Sequence, residues 1–296
     1  MLRILRVLVG LGLVGGAVLW FLARPNPLSE ADVAGLTGDA THGEQVFWAA
    51  GCASCHMAPD AKDDAQLVLK GGQSFPSDFG TFIAPNISQD PVAGIGAWSL
   101  LDLANAIKRG VGREGEHLFP ALPYAAYAKM EMQDVADLYA FLQTLPADPT
   151  PSGENDLSFP FSVRAGVGVW KLLFLSDDWV IKGDLTPTAT RGRYIVEAMA
   201  HCGECHTPRN LIGGLRTSAW LSGAPIPGGK GKTPNITPAK LDWSQADIIS
   251  YLTTGFTPDF DVVGGHMVHV VENMARLPES DVAAVAEYLA LVPAVE

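Results

Sequence analysis

"CASCH" at 52–56 and "CGECH" at 202–206 together contain all four cysteines of this 296-residue chain. In each, two thiols separated by two residues are followed at once by a histidine. C-x-x-C-H is the attachment signature of c-type haem. The thiols add to the two vinyl groups of the porphyrin, and the adjacent imidazole is then held beneath the iron. A redox C-x-x-C pair or a zinc knuckle also uses paired cysteines, but neither chemistry requires a histidine directly after each pair. The pattern predicts two covalently bound haem c groups, on Cys52 and Cys55 and on Cys202 and Cys205, with His56 and His206 as metal ligands. It displaces the two-disulfide reading that four cysteines in an exported chain would otherwise invite.

The flanks of the two motifs repeat as well. "APNIS" at 84–88 answers "TPNIT" at 233–237, placing Asn86 34 residues after Cys52 and Asn235 33 residues after Cys202. "WSLLDLANAIKRG" (98–110) answers "WSQADIISYLTTG" (243–255), and "DVADLYAFLQTLP" (134–146) answers "DVAAVAEYLALVP" (281–293). Two copies indicate a duplication rather than a solenoid. Leu101, Ala104 and Ile107, like Val135, Leu138, Leu142 and Leu145, recur at helical spacing. Pro and Gly crowd the stretches between, as in "GAPIPGGKGKTPN" (223–235), and no alternating β pattern appears. The expected class is all-α, with haem domains at 38–147 and 187–296.

Between them, 148–186 opens as a polar, Pro-containing linker and continues through "FPFSVRAGVGVWKLLFL". That run is too short and interrupted for a membrane span. Phe159, Phe161, Trp170 and Phe174 are expected to pack between the two haem units, with a membrane-surface or partner-facing patch as the alternative. Residues 1–24 read as a transmembrane anchor: 17 uncharged residues from Val7 to Ala23 follow Arg3 and Arg6. The basic flank keeps the N-terminus cytoplasmic and exports the remainder. A cleaved signal peptide is the competing reading. Leu19, Trp20, Phe21 and Leu22 stand where a small-x-small cleavage site would be needed. The net charge of -12 argues against nucleic acid as a partner and for a partner with a basic docking face.

With these motifs in hand, the chain resembles the membrane-associated multihaem cytochrome c subunits of periplasmic alcohol, gluconate and aldehyde dehydrogenases. The resemblance covers roughly residues 40–295. It is carried by the two C-x-x-C-H motifs, the "PNIS" and "PNIT" loops, "GIGAWS" (94–99), "LFPALPYAAYAKM" (118–130) and "CHTPRNLIGG" (205–214). It implies two tandem cytochrome c domains behind the anchor. It also implies electrons taken from a partner dehydrogenase and passed to quinone or downstream carriers.

The sixth iron ligands are less direct. Met267 stands twelve residues after Gly255 and is the expected thioether of the second haem, with His266 and His269 as alternatives. Twelve residues after Gly110 stands Leu122, which has no lone pair; the resembled subunits commonly have methionine there, in Met-Pro-Tyr. Met130 lies eight residues on, where those subunits usually have an aliphatic residue. An exchange of Leu and Met along one loop would preserve the thioether. Met130 is therefore the expected first ligand, with His117, Met132 or an open iron as alternatives. Asn86, Asn235, Trp98 and Trp243 are candidate donors to the haem propionates, or else turn and core residues. Arg209 and Tyr124 are weaker candidates of that kind.

The expected function is a di-haem electron carrier at the periplasmic face of the bacterial inner membrane. Its redox partners would be a dehydrogenase or quinol-oxidising donor and a downstream carrier or oxidase. The runner-up is a haem enzyme, peroxidase-like or thiosulfate-oxidising, with an open or displaceable position at the first haem.

Overall fold

The computed structural model describes residues 2–296. Helix α1 (Leu2–Leu22) is 21 residues long, about 30 Å at 1.5 Å per residue, which matches a hydrocarbon core of about 30 Å. Among the described residues it is the one helix long and apolar enough to cross a membrane. Its side chains touch little else, and the chain first becomes buried at Ala23.

The same order of elements then occurs twice. In the first half, α2 (Ala40–Ala49) leads into the motif helix α3 (Cys52–His56), then α4 (Leu100–Ala104) and the closing helix α5 (Met132–Leu142). The linker contributes α6 (Arg164–Phe174). In the second half, α7 (Pro187–Tyr194) leads into α8 (Gly203–His206), then α9 (Gln245–Thr254), α10 (Met267–Met274) and the closing helix α11 (Glu279–Leu291). Helix α4 runs on as a π turn, Asn105–Arg109, and α7 as another, Ile195–Met199.

Local chemistry explains the matching boundaries. Ser99 and Ser244 cap α4 and α9 through reciprocal bonds with Asp102 and Asp247. Gly110 (φ +58) and Gly255 (φ +79) end those segments in the left-handed conformation that glycine adopts without strain. Each closing helix crosses the first helix of its half at a glycine. A Cβ on Gly43 would lie 2.0 Å from the Asp137 carbonyl oxygen, and one on Gly192 would lie 2.0 Å from that of Ala284. The backbones thus approach more closely than any side chain allows, and Phe47, Val135 and Leu138 in one half, Ile195, Val282 and Tyr288 in the other, fill the core beside the crossing.

The halves are joined by polar contacts as well as apolar ones. The Tyr194 hydroxyl, from α7, donates to the Asp134 carboxylate at the start of α5 and accepts from the Glu131 N–H at 2.9 Å. Arg276 stacks on Trp48, its guanidinium carbon 4.0 Å from the ring centre.

The fold is mainly helical but departs from the all-α expectation in small sheets. Strands β1 (Ser74–Ser77) and β2 (Gly80–Ile83) form an antiparallel hairpin, and β3 (Asp156–Leu157) from the linker pairs with β2. Strands β4 (Ala224–Pro225) and β5 (Lys232–Thr233) form a second pair. "SFPS" shows no apolar alternation and contains proline, so pattern reading passes over it. The linker is largely exposed up to Gly166 apart from its pairing at β3, and docks through α6. Trp170 meets Tyr124 of the first half and donates its indole N–H to the Ile212 carbonyl of the second, and Phe174 packs on Gly214. Phe159 and Phe161, expected between the halves, are instead 83% and 41% exposed, and Phe161 meets Phe79 of the first half.

Candidate functional site

Gly51 (φ +66) opens α3, and the single helical turn that follows sets Cys52 and Cys55 three residues apart on one face. All four cysteines are free thiols. Burial, reinforced by the neighbouring thiol, pushes Cys52 up to about 12, and burial with Cys205 nearby pushes Cys55 up to about 11. A redox-active pair needs the opposite shift.

His56 donates its Nδ1–H to the Pro85 carbonyl at 2.8 Å, which leaves Nε2 as the free lone pair. Its own carbonyl accepts the Gly71 N–H at 2.7 Å, and Gly71 (φ +72) lies so close to the Ala84 carbonyl that no side chain fits. The second motif repeats this contact for contact. His206 donates Nδ1–H to Pro234 at 2.8 Å, and its carbonyl accepts the Gly223 N–H at 2.7 Å. Burial holds both imidazoles below their ordinary basicity, with the carbonyl bonds opposing. A neutral imidazole with one nitrogen fixed by a carbonyl and the other free is the form that ligates a metal. Two thiols on one face beside such an imidazole fit the donor set of haem c.

The candidate sixth-ligand residues fall on equivalent segments. Met267 is the first residue of α10 and is half-buried, as Leu122 is. Met130 precedes Glu131, which caps α5; Leu277 precedes Pro278, which caps α11. In both places the N–H bonds to the carbonyl three residues back, and both side chains are buried, 2% and 8% exposed. The first half therefore carries Leu122 and Met130 where the second carries Met267 and Leu277. The Lys108 ammonium bonds to the carbonyls of Ala128 and Met130, fixing this segment. Met132 sits one residue past the cap and is half-buried.

His117 is removed from the ligand candidates. Its Nε2–H donates to the Ala23 carbonyl at 2.9 Å, and its Nδ1 accepts from the Lys171 ammonium at 3.1 Å, so neither nitrogen is free. His269 pairs with Glu272 at 3.0 Å, and His266 is exposed.

The asparagines act as clamps. Asn86 commits both amide hydrogens, to Asp148 and Thr150 carbonyls at 2.8 and 2.7 Å, which leaves none for a propionate. Asn235 donates to the Val295 carbonyl at 2.7 Å. Each amide oxygen also accepts the N–H two residues on, from Ser88 and Thr237. Both thus fasten the chain that leaves the closing helix. Among the described residues the indole N–H groups of Trp98 and Trp243 make no hydrogen bond, and both rings are half-buried. Arg209 is held by Glu204 and by the Gly213 carbonyl. The Tyr124 hydroxyl is buried with no partner among the described residues.

The cytochrome c family pattern matches residues 40–146. A protein of Cereibacter sphaeroides named diheme cytochrome c-type is 52% identical over 296 residues, the full length of both chains. The fructose dehydrogenase cytochrome subunit of Gluconobacter japonicus is 35% identical across 92% of this chain and 56% of its own length. The gluconate 2-dehydrogenase cytochrome c subunit of Pantoea cypripedii is 31% identical across 83% of this chain and 58% of its own. The chain belongs to the cytochrome c family. It spans the whole of the Cereibacter relative but only a little over half of these two dehydrogenase subunits.

The cytochrome therefore carries covalently bound haem c and serves electron transport. Several residues that shape its sites lie outside the motif expectations. Trp220 packs against Gly203, where a Cβ would come within 2.1 Å of the indole; the first motif has buried Ala53 at the matching place. The two motifs also face one another. Asn273 of α10 donates to the Ser54 hydroxyl at 2.9 Å, and the Tyr127 hydroxyl donates to the Ala50 carbonyl at 2.7 Å. The His201 ring, just before Cys202, stacks edge-on against Tyr127 with centroids 5.6 Å apart. No one-dimensional pattern announces such contacts, because their partners lie 74 to 219 residues apart in the chain.

Proposed function

We propose that this cytochrome is a di-haem, single-electron relay held at the periplasmic face of the bacterial inner membrane by residues 1–24. One haem belongs to the domain at 38–147, on Cys52, Cys55 and His56. The other belongs to the domain at 187–296, on Cys202, Cys205 and His206. The observation that carries this reading is the twofold recurrence of one arrangement, a motif histidine with Nδ1–H on a proline carbonyl at 2.8 Å and Nε2 free.

When bound, haem supplies an Fe(III)/Fe(II) couple that exchanges one electron at a time. The chain's own residues do the rest. The Pro85 and Pro234 carbonyls fix the imidazole tautomer and strengthen Nε2 as a donor. Met267 serves the second site, and Met130 the first, as soft thioether ligands that raise the reduction potential. Trp98 and Trp243 stand with free indole donors for the propionates. The donor is a periplasmic dehydrogenase or quinol oxidiser and the acceptor a downstream carrier or oxidase; the names of the relatives support the dehydrogenase.

An optical redox titration of the full chain in membranes tests the proposal. Two one-electron steps are expected, with one surviving when Cys202 and Cys205 are both changed to Ala. A single step in the unaltered protein would overturn it.

A further inference from the structure

Near its C-terminal end, helix α6 turns a charge inward and two leucines outward. Lys171 points inward and is 9% exposed, whereas Leu172 and Leu173 are 51% and 62% exposed. The buried ammonium is held by the Arg109 and Gly110 carbonyls, at 2.8 and 2.6 Å, and by His117. Those carbonyls end the α4 segment, where the helix dipole favours a cation. The inward charge is therefore fixed by its partners, and the outward leucines follow from it. In water, such a helix turns its charge out and its leucines in.

The inward face, with Gly168 and Lys171, lies at the foot of α1. Gly168 fits against the Ala23 carbonyl so closely that a Cβ would be 2.0 Å away. His117 bonds to that carbonyl, and Arg164, the first residue of α6, bonds to the His117 carbonyl at 2.8 Å. Arg24 stacks on Trp20, 4.0 Å from the ring centre, as basic and aromatic residues do at a membrane boundary. Segments touching α6 add further exposed apolar side chains. Phe159 precedes it, and Leu211 and Ile212 stand on the loop that accepts the Trp170 indole N–H.

We infer that α6 is an interfacial helix: with its neighbouring apolar loops it lies in the headgroup region of the bilayer that α1 crosses. This rests on α1 being a membrane span. The occupant follows from continuity. Lipid that surrounds the otherwise uncovered α1 reaches its last turn, and α6 is built onto that turn with its apolar face outward. Docking at two points fixes the height and tilt of the first haem domain over the membrane, which a single span on a flexible tether does not.

The full-length haem-loaded protein, reconstituted in phosphatidylethanolamine–phosphatidylglycerol vesicles, provides the test. A phospholipid with a diazirine near its headgroup is photolysed, and lipid adducts are mapped by peptide mass spectrometry. Adducts are expected on α1 and on the peptide that begins at Leu172. The Leu172→Glu, Leu173→Glu double variant should lower the second yield several-fold and leave the first unchanged. Adducts on α1 alone would overturn the inference and assign those leucines to a protein partner. Adducts on neither would remove the membrane span as well.

Discussion

Methionine and leucine differ little in size but wholly in what they offer iron, so the exchanged pairs Leu122/Met130 and Met267/Leu277 can be tested one side chain at a time. Met267→Leu is expected to abolish the sulfur-to-iron charge-transfer band of one haem and Met130→Leu that of the other. The packing part of each change should cost less than about 1.5 kcal/mol, because leucine replaces methionine at nearly equal volume, so a larger loss reports the missing iron–sulfur bond. If Met130→Leu leaves the band untouched, the first haem has no thioether from that residue, and carbon monoxide binding to the reduced protein would then show whether its sixth position is open. Gly203 offers a steric test. A methyl group there meets Trp220 at 2.1 Å, so Gly203→Ala should destabilise the second half by about 1–3 kcal/mol and lower its haem content. Gly203→Ala with Trp220→Phe should recover part of that loss. Thermal melts and haem-to-protein ratios read both outcomes.

Among the elements, the paired helices were legible because segments with helical apolar spacing in the first half recur in the second. Gly43 and Gly192 left a signal too, standing nine and ten residues before the first cysteine of each motif. Its meaning as a helix crossing becomes visible only when α5 and α11 are in place. The strands were not legible, since two-to-four-residue segments held by backbone bonds need no side-chain pattern. Nor was the environment of His117, whose partners Ala23 and Lys171 come from the anchor and the linker. The α2–α5 crossing makes a pH prediction. Burial pushes the Asp137 carboxyl upward, but the Asp39 N–H, His42 and Gln133 outweigh it and hold the group below its ordinary value. Its contribution is therefore complete above the unfolded-state value and is lost as pH falls through the lower, folded one. Asp137→Asn should lower stability near neutrality by roughly 1–2 kcal/mol and flatten the decline on the acid side. Denaturant melts between pH 7 and 3 would show it; parallel curves for the two proteins would contradict it.

For the molecule as a whole, the two halves that carry the C-x-x-C-H motifs do not stand apart. The Asn273–Ser54 bond, at the first attachment motif, and the Tyr194–Asp134 bond tie the second half to the first. Asn273→Ala should cost about 1 kcal/mol, a fall in melting temperature of about 2–4 °C for a chain of this size. Calorimetry should then begin to resolve two transitions where the unaltered protein shows one; an unchanged single transition at the same temperature would mean that the halves are joined elsewhere. The account depends above all on a porphyrin fastened at each C-x-x-C-H. The direct measurement is the mass of the denatured chain and its peptides after expression in a host competent for c-type haem attachment. Two haem adducts are predicted, one on the peptide containing Cys52 and Cys55 and one on that containing Cys202 and Cys205, both surviving acid–acetone extraction. Fewer than two adducts, or haem that extracts into the acetone, would contradict it.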